Sequence, residues 1–335
     1  MEIRRVQMTG GSSYVVTLPK EWIKSSNIKK NDPLGLLTQS DGTLLLTTKM
    51  TQDRVQRLKE FDISNITDQT YLLRCLIGAY ISGYTSIKIK SSKRISPTAR
   101  TTVRQFTQTT IGQEVIEETD ASITLKDLVN PSEMPFDNTI KRMHIIVKSM
   151  HEDAMRALKE GDRKLAKDVI SRDNDVDRLH WLAARQHNII LQNVSLAKKM
   201  DTTIEMSSTC LLISRIIERV GDHIVRITQN ILNLVDNKVN QEIIDSIRSA
   251  SDLALDIFNK SIKSFFRKDL QAANENIQSV KRLESLCEEI NALALQQKGV
   301  TALSVGYIVE SIRRIGEYAE DISETAINYL VSEKN

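Results

Sequence analysis

The chain has 335 residues, of which 40% are hydrophobic and 27% are charged, and its formal net charge is +3 at pH 7. This length suffices for two or three domains with cores of their own. No apolar stretch approaches the roughly 18 residues that a membrane-spanning helix needs, and the polar N-terminal residues do not resemble a secretion signal. The composition therefore predicts a cytoplasmic protein without membrane insertion. The three cysteines lie far apart with no CxxC pair, which indicates neither a disulfide framework nor a zinc finger.

Charge is distributed unevenly along the chain. Residues 1–50 carry seven basic and four acidic side chains, whereas residues 131–335 carry 28 basic and 30 acidic ones. A basic beginning suits contact with nucleic acid, and a slightly acidic remainder suits another role.

The first fifty residues predict a small all-β unit. Alternating valine and threonine predict a strand at 13–18, which Pro19 ends, and residues 21–24 can form one helical turn. Asp41-Gly42 predicts a turn between strands at 34–37 and 43–46. So small a sheet cannot bury a core alone. We expect it to pair with a copy of itself or to lean on the rest of the chain.

Residues 51–130 predict a small α/β module whose role the sequence does not reveal. The predicted elements are a helix from 69 to about 83, a strand at 85–89, a helix after Ser96-Pro97 and strands at 114–118 and 121–125. Basic residues occur without an acid from Thr85 to Gln113, which indicates either an extended nucleic-acid surface or a solvated basic face.

Residues 136–335 predict an all-α region after a proline-containing linker at 130–135. Apolar residues recur at spacings of three and four, as in Ile216, Val220, Ile224, Ile227 and Ile231. Breaks are predicted near 161–162, 188–200, 236–237, 267–269 and 297–299. They leave about six helices, which predict two three-helix bundles at about 136–236 and 240–335.

An internal repeat supports two bundles. Residues 158–179 align with 265–286 at an offset of 107, so that Asp162 matches Asp269 and Asp177 matches Glu284. Arg219-Val220-Gly221 matches Arg314-Ile315-Gly316 at an offset of 95. The helical region is therefore predicted to be a duplicated unit.

Carboxylates on two helices of the first bundle form the sharpest chemical pattern. Glu218 and Asp222 lie one turn apart on one helix face, and Gly221 between them permits a close neighbour. With Asp173 and Asp177 of the preceding helix, they predict an oxygen-rich site for a hard cation or iron. The alternative is a solvated acidic face. In the second copy Arg313 replaces Glu218, so only a weaker site is predicted, formed by Glu284, Glu317 and Asp321.

No arrangement in the sequence indicates catalysis. There is no Ser/His/Asp set, P-loop, GxGxxG or HExxH motif. A metal-dependent enzyme that uses the carboxylates is a weak third alternative, because no nucleophile or base accompanies them. The chain is therefore predicted not to be an enzyme.

The N-terminal segment resembles a known family. Residues 10–22, which read GGSSYVVTLPKEW, and the following IKKND resemble the swapped-hairpin domain of the AbrB, MazE and SpoVT type. Gly11 and Asn31 depart from its usual pattern. The resemblance implies an interleaved homodimer that binds DNA, with contacts from Arg4, Arg5, Ser12, Ser13, Lys20 and Lys24.

The helical region, about 200 residues, resembles PhoU, whose bundles carry ERIGD-like motifs; Glu218 to Asp222 read ERVGD here. The resemblance implies two three-helix bundles that bind a divalent metal or an iron cluster and restrain a phosphate ABC transporter. Together the two resemblances predict a homodimeric, DNA-binding regulator of phosphate homeostasis. The alternative is an adaptor that dimerises through the hairpin domain, does not bind DNA, and docks on the transporter ATPase or a signalling partner.

Overall fold

The structure is a computed structural model that describes residues 2–38, 42–48, 56–130, 133–193, 195–235, 237 and 239–332, with only the backbone of Leu37 and Ser195. It divides into two compact units, Met1–Val55 and Gln56–Asn335. The predicted fold class is confirmed, because small hairpins are followed by an α/β module and then by helical bundles.

The described residues of the first unit form two separate two-stranded antiparallel sheets. In chain order its elements are β1 (Gln7–Thr9), β2 (Ser13–Val15), α1 (Lys20–Ser25), β3 (Gly35–Thr38) and β4 (Leu44–Thr47). None of the side chains described in this unit is buried. Tyr14, for example, is 76% exposed and Leu36 63% exposed. Asp41 of the predicted turn lies outside the described residues.

The α/β module begins the second unit. Its elements are β5 (Leu58–Asp62), α2 (Gln69–Ile81), β6 (Ser86–Lys90), α3 (Pro97–Thr109), β7 (Gln113–Glu118) and β8 (Ser122–Asp127). The sheet order is β5-β6-β8-β7; β5 and β6 are parallel and the other pairs antiparallel. Ser96 caps α3 by accepting from the Ala99 amide at 3.1 Å, as the Ser-Pro pair predicts. β5 was not predicted from the sequence, because its residues LKEFD show no clear apolar alternation. In the structure none of them is buried.

In the described part of residues 136–332, six long helices and one short helix follow. They are α4 (Phe136–Glu160), α5 (Arg163–Gln192), α6 (Ser195–Lys199), α7 (Ile204–Val235), α8 (Gln241–Arg267), α9 (Leu270–Ala294) and α10 (Val300–Ser332). The first bundle consists of α4, α5 and α7, and the second of α8, α9 and α10. Because α7 packs along α10, one hydrophobic core runs through both bundles. None of the described helices combines the length and the apolar character needed to cross a membrane.

The two bundles repeat each other down to the helix ends. Gly161 ends α4 in a left-handed conformation, and Lys268, 107 residues later, ends α8 in the same conformation. The next residue caps the following helix in both copies: Asp162 accepts from the Lys164 and Leu165 amides, and Asp269 accepts from the Ala272 amide. This turn supports the predicted duplication of the helical region.

A buried arginine fastens the α/β module to the first bundle. Arg185 of α5 is fully buried, and its Nη2 lies 2.6 Å from Asp127 Oδ2. The guanidinium also donates to the carbonyl oxygens of Tyr80 and Tyr84, and it lies 4.7 Å from the centre of the Tyr80 ring. Charge, hydrogen bonds and ring contact together compensate for the loss of water around this side chain.

Other α5 side chains complete this attachment at the end of α2. Asn188 Nδ2 donates to the carbonyl oxygen of Ile81, and Gln192 Nε2 donates to that of Ser82, each at 3.1 Å. These carbonyls lie at the helix C-terminus, where no partner exists within the helix itself. The same face of α5 presents Trp181 to the core of the module.

We expect Arg185→Ala to lower the free energy of unfolding by about 3–5 kcal/mol, because it leaves Asp127 buried without its cation. Urea denaturation followed by circular dichroism measures the change. Arg248→Ala is the matched control, since Arg248 is partly exposed and 4.0 Å from Asp245, so its removal should change the free energy by about 1 kcal/mol or less. Equal effects of the two substitutions would contradict this account.

Candidate functional site

The four carboxylates predicted for the first bundle lie on two helices that pack together. Asp173 and Asp177 are one turn apart on α5, and Glu218 and Asp222 are one turn apart on α7. The two helices approach closely at Gly221, where a Cβ atom would lie 3.1 Å from Asp173 Oδ1. A side chain at position 221 would therefore compete with the Asp173 carboxylate for space. We name these four residues the acidic cluster.

Electrostatics show that the members of the acidic cluster influence one another. Burial, followed by the charge of Asp222, raises the pKa of Glu218 to about 7. Burial and the charges of Asp222 and Glu218 raise the pKa of Asp173 to about 6. Burial and the charges of Asp173 and Asp222 raise the pKa of Asp177 to about 6. Burial also raises the pKa of Asp222. Like charges are thus held together at a half-buried position.

Two oxygens of the cluster lack hydrogen-bond partners. Asp173 Oδ1 and Glu218 Oε2 are buried with no partner among the described residues. Arg215, one turn before Glu218, approaches the other oxygen of Glu218 at 3.3 Å. Sequence reasoning did not assign Arg215 to this site, although its position three residues before Glu218 is a recognisable ion-pair spacing. Unpaired carboxylate oxygens suit a hard cation.

The side chains of the acidic cluster are not arranged to coordinate a metal ion. Among the described residues, no three carboxylate, imidazole or thiol groups are close enough to hold a metal ion as they stand. A cation would therefore require these side chains to turn towards it. Asp175, between Asp173 and Asp177, is exposed and lies 3.7 Å from Arg178.

The second bundle replaces the cluster with ion pairs. Glu317, which corresponds to Asp222, pairs with Arg313 and with Arg314, the latter at 2.8 Å. Val280 occupies the position that corresponds to Asp173, at the offset of 107. Glu284 is exposed on α9, whereas burial and the charge of Glu324 raise the pKa of Asp321. Of the weaker predicted site, Glu317 is thus shared with two arginines, which disfavours a bound cation at that carboxylate.

The residues predicted to contact DNA are all exposed in the first unit. Ser12 lies in the turn after β1, and Ser13, the first residue of β2, pairs with Thr9. Arg4 and Arg5 precede β1, so they extend from the other end of this hairpin, and Arg4 forms an ion pair with Glu2. Lys20 and Lys24 are one turn apart on α1. The hairpin itself therefore separates the serines from the arginines.

The raised pKa values predict how stability depends on pH. Asp173, Asp177 and Glu218 hold protons in the folded state that the unfolded chain releases at its ordinary values of 3.8 and 4.5. Their contribution to stability is therefore present below about pH 4 and is lost as the pH rises through about 6 to 7. We expect Asp177→Asn with Glu218→Gln to reduce this loss of stability between pH 5 and pH 8, measured by urea denaturation.

The control for this measurement is Glu205→Gln with Glu242→Gln, because both side chains are exposed at helix starts. The control should keep the pH dependence of the unmodified protein. If both double variants show the same pH dependence as the unmodified protein, the acidic cluster is not the source of the effect.

Comparison with protein families finds a match for the N-terminal segment and a match for the helical region. The PhoU domain matches residues 140–231 and 247–326, one match in each bundle. The family described as "Antidote-toxin recognition MazE, bacterial antitoxin" matches residues 7–53. Both resemblances inferred from the sequence are thereby confirmed.

Individual relatives agree with the match in the helical region. The "Phosphate-specific transport system accessory protein PhoU homolog 1" of Thermotoga maritima is 23% identical over 203 residues, which is 58% of this chain and 85% of the relative. The corresponding protein of Clostridium acetobutylicum is 23% identical over 207 residues, or 58% of this chain and 89% of the relative.

Two solved structures share the fold. PhoU from Pseudomonas aeruginosa superposes with a TM-score of 0.53 at 18% identity, over 59% of this chain and 96% of that one. The phosphate transport system regulatory protein PhoU from Streptococcus pneumoniae superposes with a TM-score of 0.51 at 17% identity, over 59% and 94%. Because the PhoU domain matches slightly more than half of the chain, across both bundles, this protein belongs to the PhoU family.

Proposed function

We propose that this protein regulates phosphate uptake and cellular phosphate homeostasis, with a PhoU-type helical part that senses phosphate status and an N-terminal unit that binds DNA as a homodimer. The observation that carries the proposal is the joining, in one chain, of a PhoU domain in both bundles to a MazE-type domain. The relatives from Thermotoga maritima and Clostridium acetobutylicum are described as accessory proteins of phosphate-specific transport.

The exposed apolar side chains of the first unit support the homodimer. Met8, Tyr14, Val16, Leu36 and Leu44 are each at least half exposed, although they lie in or beside strands. Full burial of one such side chain contributes about 1.5–3 kcal/mol, so a second copy that covers several of them would supply the missing core. A two-stranded hairpin alone is at best marginally stable.

The basic side chains of the same unit support DNA binding. Arg5, Lys20 and Lys24 are exposed, as contacts with phosphate groups require. Gly10 and Gly11 have positive φ angles of 65° and 83°, so the turn that carries Ser12 adopts a backbone that most residues would strain. This turn presents Ser12 and Ser13 at the tip of the hairpin.

DNA binding is tested with the full chain and a labelled duplex from the region upstream of its own gene. We expect fluorescence anisotropy to show binding that weakens steeply with salt. Arg4→Glu with Arg5→Glu should weaken it about tenfold or more and reduce the salt slope by about two, one for each lost phosphate contact. Lys159→Glu with Lys164→Glu, which reverses two exposed charges at the junction of α4 and α5, is the matched control.

Sedimentation of the same samples shows whether the arginine variant remains dimeric, so that lost DNA binding is separated from lost assembly. Absence of salt-dependent binding by the unmodified chain would reject the DNA-binding part of the proposal. The adaptor would then be favoured, provided that the arginine variant still restrains phosphate uptake in cells. In that case the hairpin unit serves only to dimerise the protein.

We further propose that the acidic cluster holds a divalent metal or an iron cluster. The chemistry of these residues suits such a group, because Asp173 Oδ1 and Glu218 Oε2 are buried without partners among the described residues, and the four carboxylates need only turn towards a shared cation. A bound cation would neutralise their mutual repulsion and link α5 to α7. In the second bundle the arginines beside Glu317 already supply that positive charge.

Metal binding is tested by elemental analysis of the purified protein and by thermal denaturation with added Mn²⁺, Zn²⁺ or Fe³⁺. We expect a bound metal and a rise in melting temperature, both lost in Glu218→Gln with Asp222→Asn. The control, Glu317→Gln with Asp321→Asn, alters carboxylates of the second bundle and should retain both. Equal metal content in the two double variants would reject the acidic cluster as the site.

A further inference from the structure

A crevice lies between α8 and α9 of the second bundle, at the end where the two helices join. Its volume is about 310 Å³. Basic side chains from the last two turns of α8 line one wall, and polar side chains from the first turns of α9 line the other. The α8 wall carries Lys260, Lys263 and Arg267, and the α9 wall carries Glu275, Asn276 and Ser279. Asp269, the N-cap residue of α9, also lines the crevice.

The corresponding place in the first bundle is filled. Arg172, which corresponds to Ser279 at the offset of 107, lies between α4 and α5. It contacts Asp153 Oδ2 at 2.7 Å and Asp168 Oδ2 at 3.0 Å, and it donates to Ser149 Oγ at 3.0 Å. In the second bundle Lys260 replaces Asp153, so both the arginine and one of its acceptors are absent. The second bundle therefore has an open crevice at this place, and its α8 wall carries a lysine where the first bundle carries an aspartate.

Asn276 shows that the crevice is more than a packing gap. It is only 2% exposed, and its amide nitrogen donates to the carbonyl oxygen of Ile257 at 2.9 Å and to Ser323 Oγ at 3.1 Å. Its Oδ1 has no hydrogen-bond partner among the described residues. A buried acceptor without a partner is unfavourable. Val169 fills this position in the first bundle without any polar atom, so the fold itself does not require the amide.

The charges on the opposite wall remain available to a ligand. Lys263 and Arg267 are one turn apart, and neither has an ion-pair partner among the described residues; Lys260 pairs with Asp256 at 2.7 Å. Basic residues near a helix C-terminus also interact with the helix dipole, which is sufficient to explain Arg267 alone. It does not explain the open volume or the unpaired oxygen of Asn276. Asp269 already caps the beginning of α9 and also lines the crevice, so the attraction for an anion comes from Lys263 and Arg267.

We propose that this crevice binds a small phosphate monoester that carries hydroxyl groups. Lys263 and Arg267 hold the phosphate group, because two cations one helical turn apart favour an anion. The hydroxyl groups of the ligand donate to the Glu275 carboxylate and, once the buried Asn276 side chain turns towards the crevice, to its Oδ1. The volume lies at the lower end of the range of about 300–1,000 Å³ for small-molecule sites, which favours a ligand of a few carbon atoms.

Isothermal titration of the full chain with glycerol 3-phosphate tests this proposal, with inorganic phosphate and glycerol as the two partial ligands. We expect glycerol 3-phosphate to bind at least tenfold more tightly than inorganic phosphate and glycerol to show no binding. Lys263→Glu with Arg267→Glu should weaken binding by tenfold or more. Arg156→Glu with Lys159→Glu, at the corresponding end of the first bundle, is the matched control and should bind as the unmodified protein does.

A second pair of substitutions separates lost binding from lost folding. Lys260→Asp with Ser279→Arg restores the ion pair of the first bundle and fills the crevice, so it should abolish binding while the melting temperature is retained. Asn276→Val should also weaken binding, because it removes the unpaired oxygen; since it also removes the two hydrogen bonds that Nδ2 donates, its folded fraction is checked by circular dichroism at the temperature of the titration. Unchanged binding in these variants, or equal affinity for inorganic phosphate and glycerol 3-phosphate, would overturn the proposal.

Discussion

The buried ion pair between Arg185 and Asp127 determines how the second unit is organised. A guanidinium group without water is unfavourable unless it is hydrogen-bonded, and here a carboxylate and two carbonyl oxygens accept from both of its terminal nitrogens. These partners belong to the α/β module, whereas the arginine belongs to α5. The module is thereby attached to the 30-residue helix that also carries Asp173 and Asp177. At about 1.5 Å per residue this helix is about 45 Å long, and it connects the module directly to the acidic cluster.

The two bundles show how one fold supports different electrostatic surroundings. In both copies a glycine on the last helix of the bundle lets the neighbouring helix approach closely. A Cβ atom at Gly221 would contact Asp173, and a Cβ atom at Gly316 would overlap Leu283. The backbone geometry is therefore retained while the side chains differ. In the first bundle, carboxylates meet with little compensation and their pKa values rise. In the second, arginines one turn away compensate for Glu317.

Much of this architecture is predictable from local patterns in the sequence. The long helices follow from the spacing of apolar residues, and the helix ends follow from capping signals such as Asp162 and Asp269. The meeting of the acidic side chains also follows, because residues four apart share a helix face and Gly221 marks the close approach. These signals lie within a few residues of the feature that they predict.

The remaining features depend on contacts between distant segments. β5 has no buried residue to reveal it, and it belongs to the sheet because its backbone pairs with β6. Nothing in the sequence near Arg185 indicates that its partner is Asp127, 58 residues earlier. The crevice beside Asn276 exists because no side chain of the second bundle takes the place that Arg172 fills in the first, and this depends on the packing of two helices. Such features require the three-dimensional structure.

The absence of buried side chains among the described residues of the first unit has a consequence for the level of protein in the cell. A segment without a core of its own takes its folded form from whatever surface covers it, so its folded fraction follows mass action. Where self-association provides that surface, a dilute chain keeps this segment open to proteases, whereas an abundant chain protects it. Expression level would then set both the amount of the protein and the fraction that is intact.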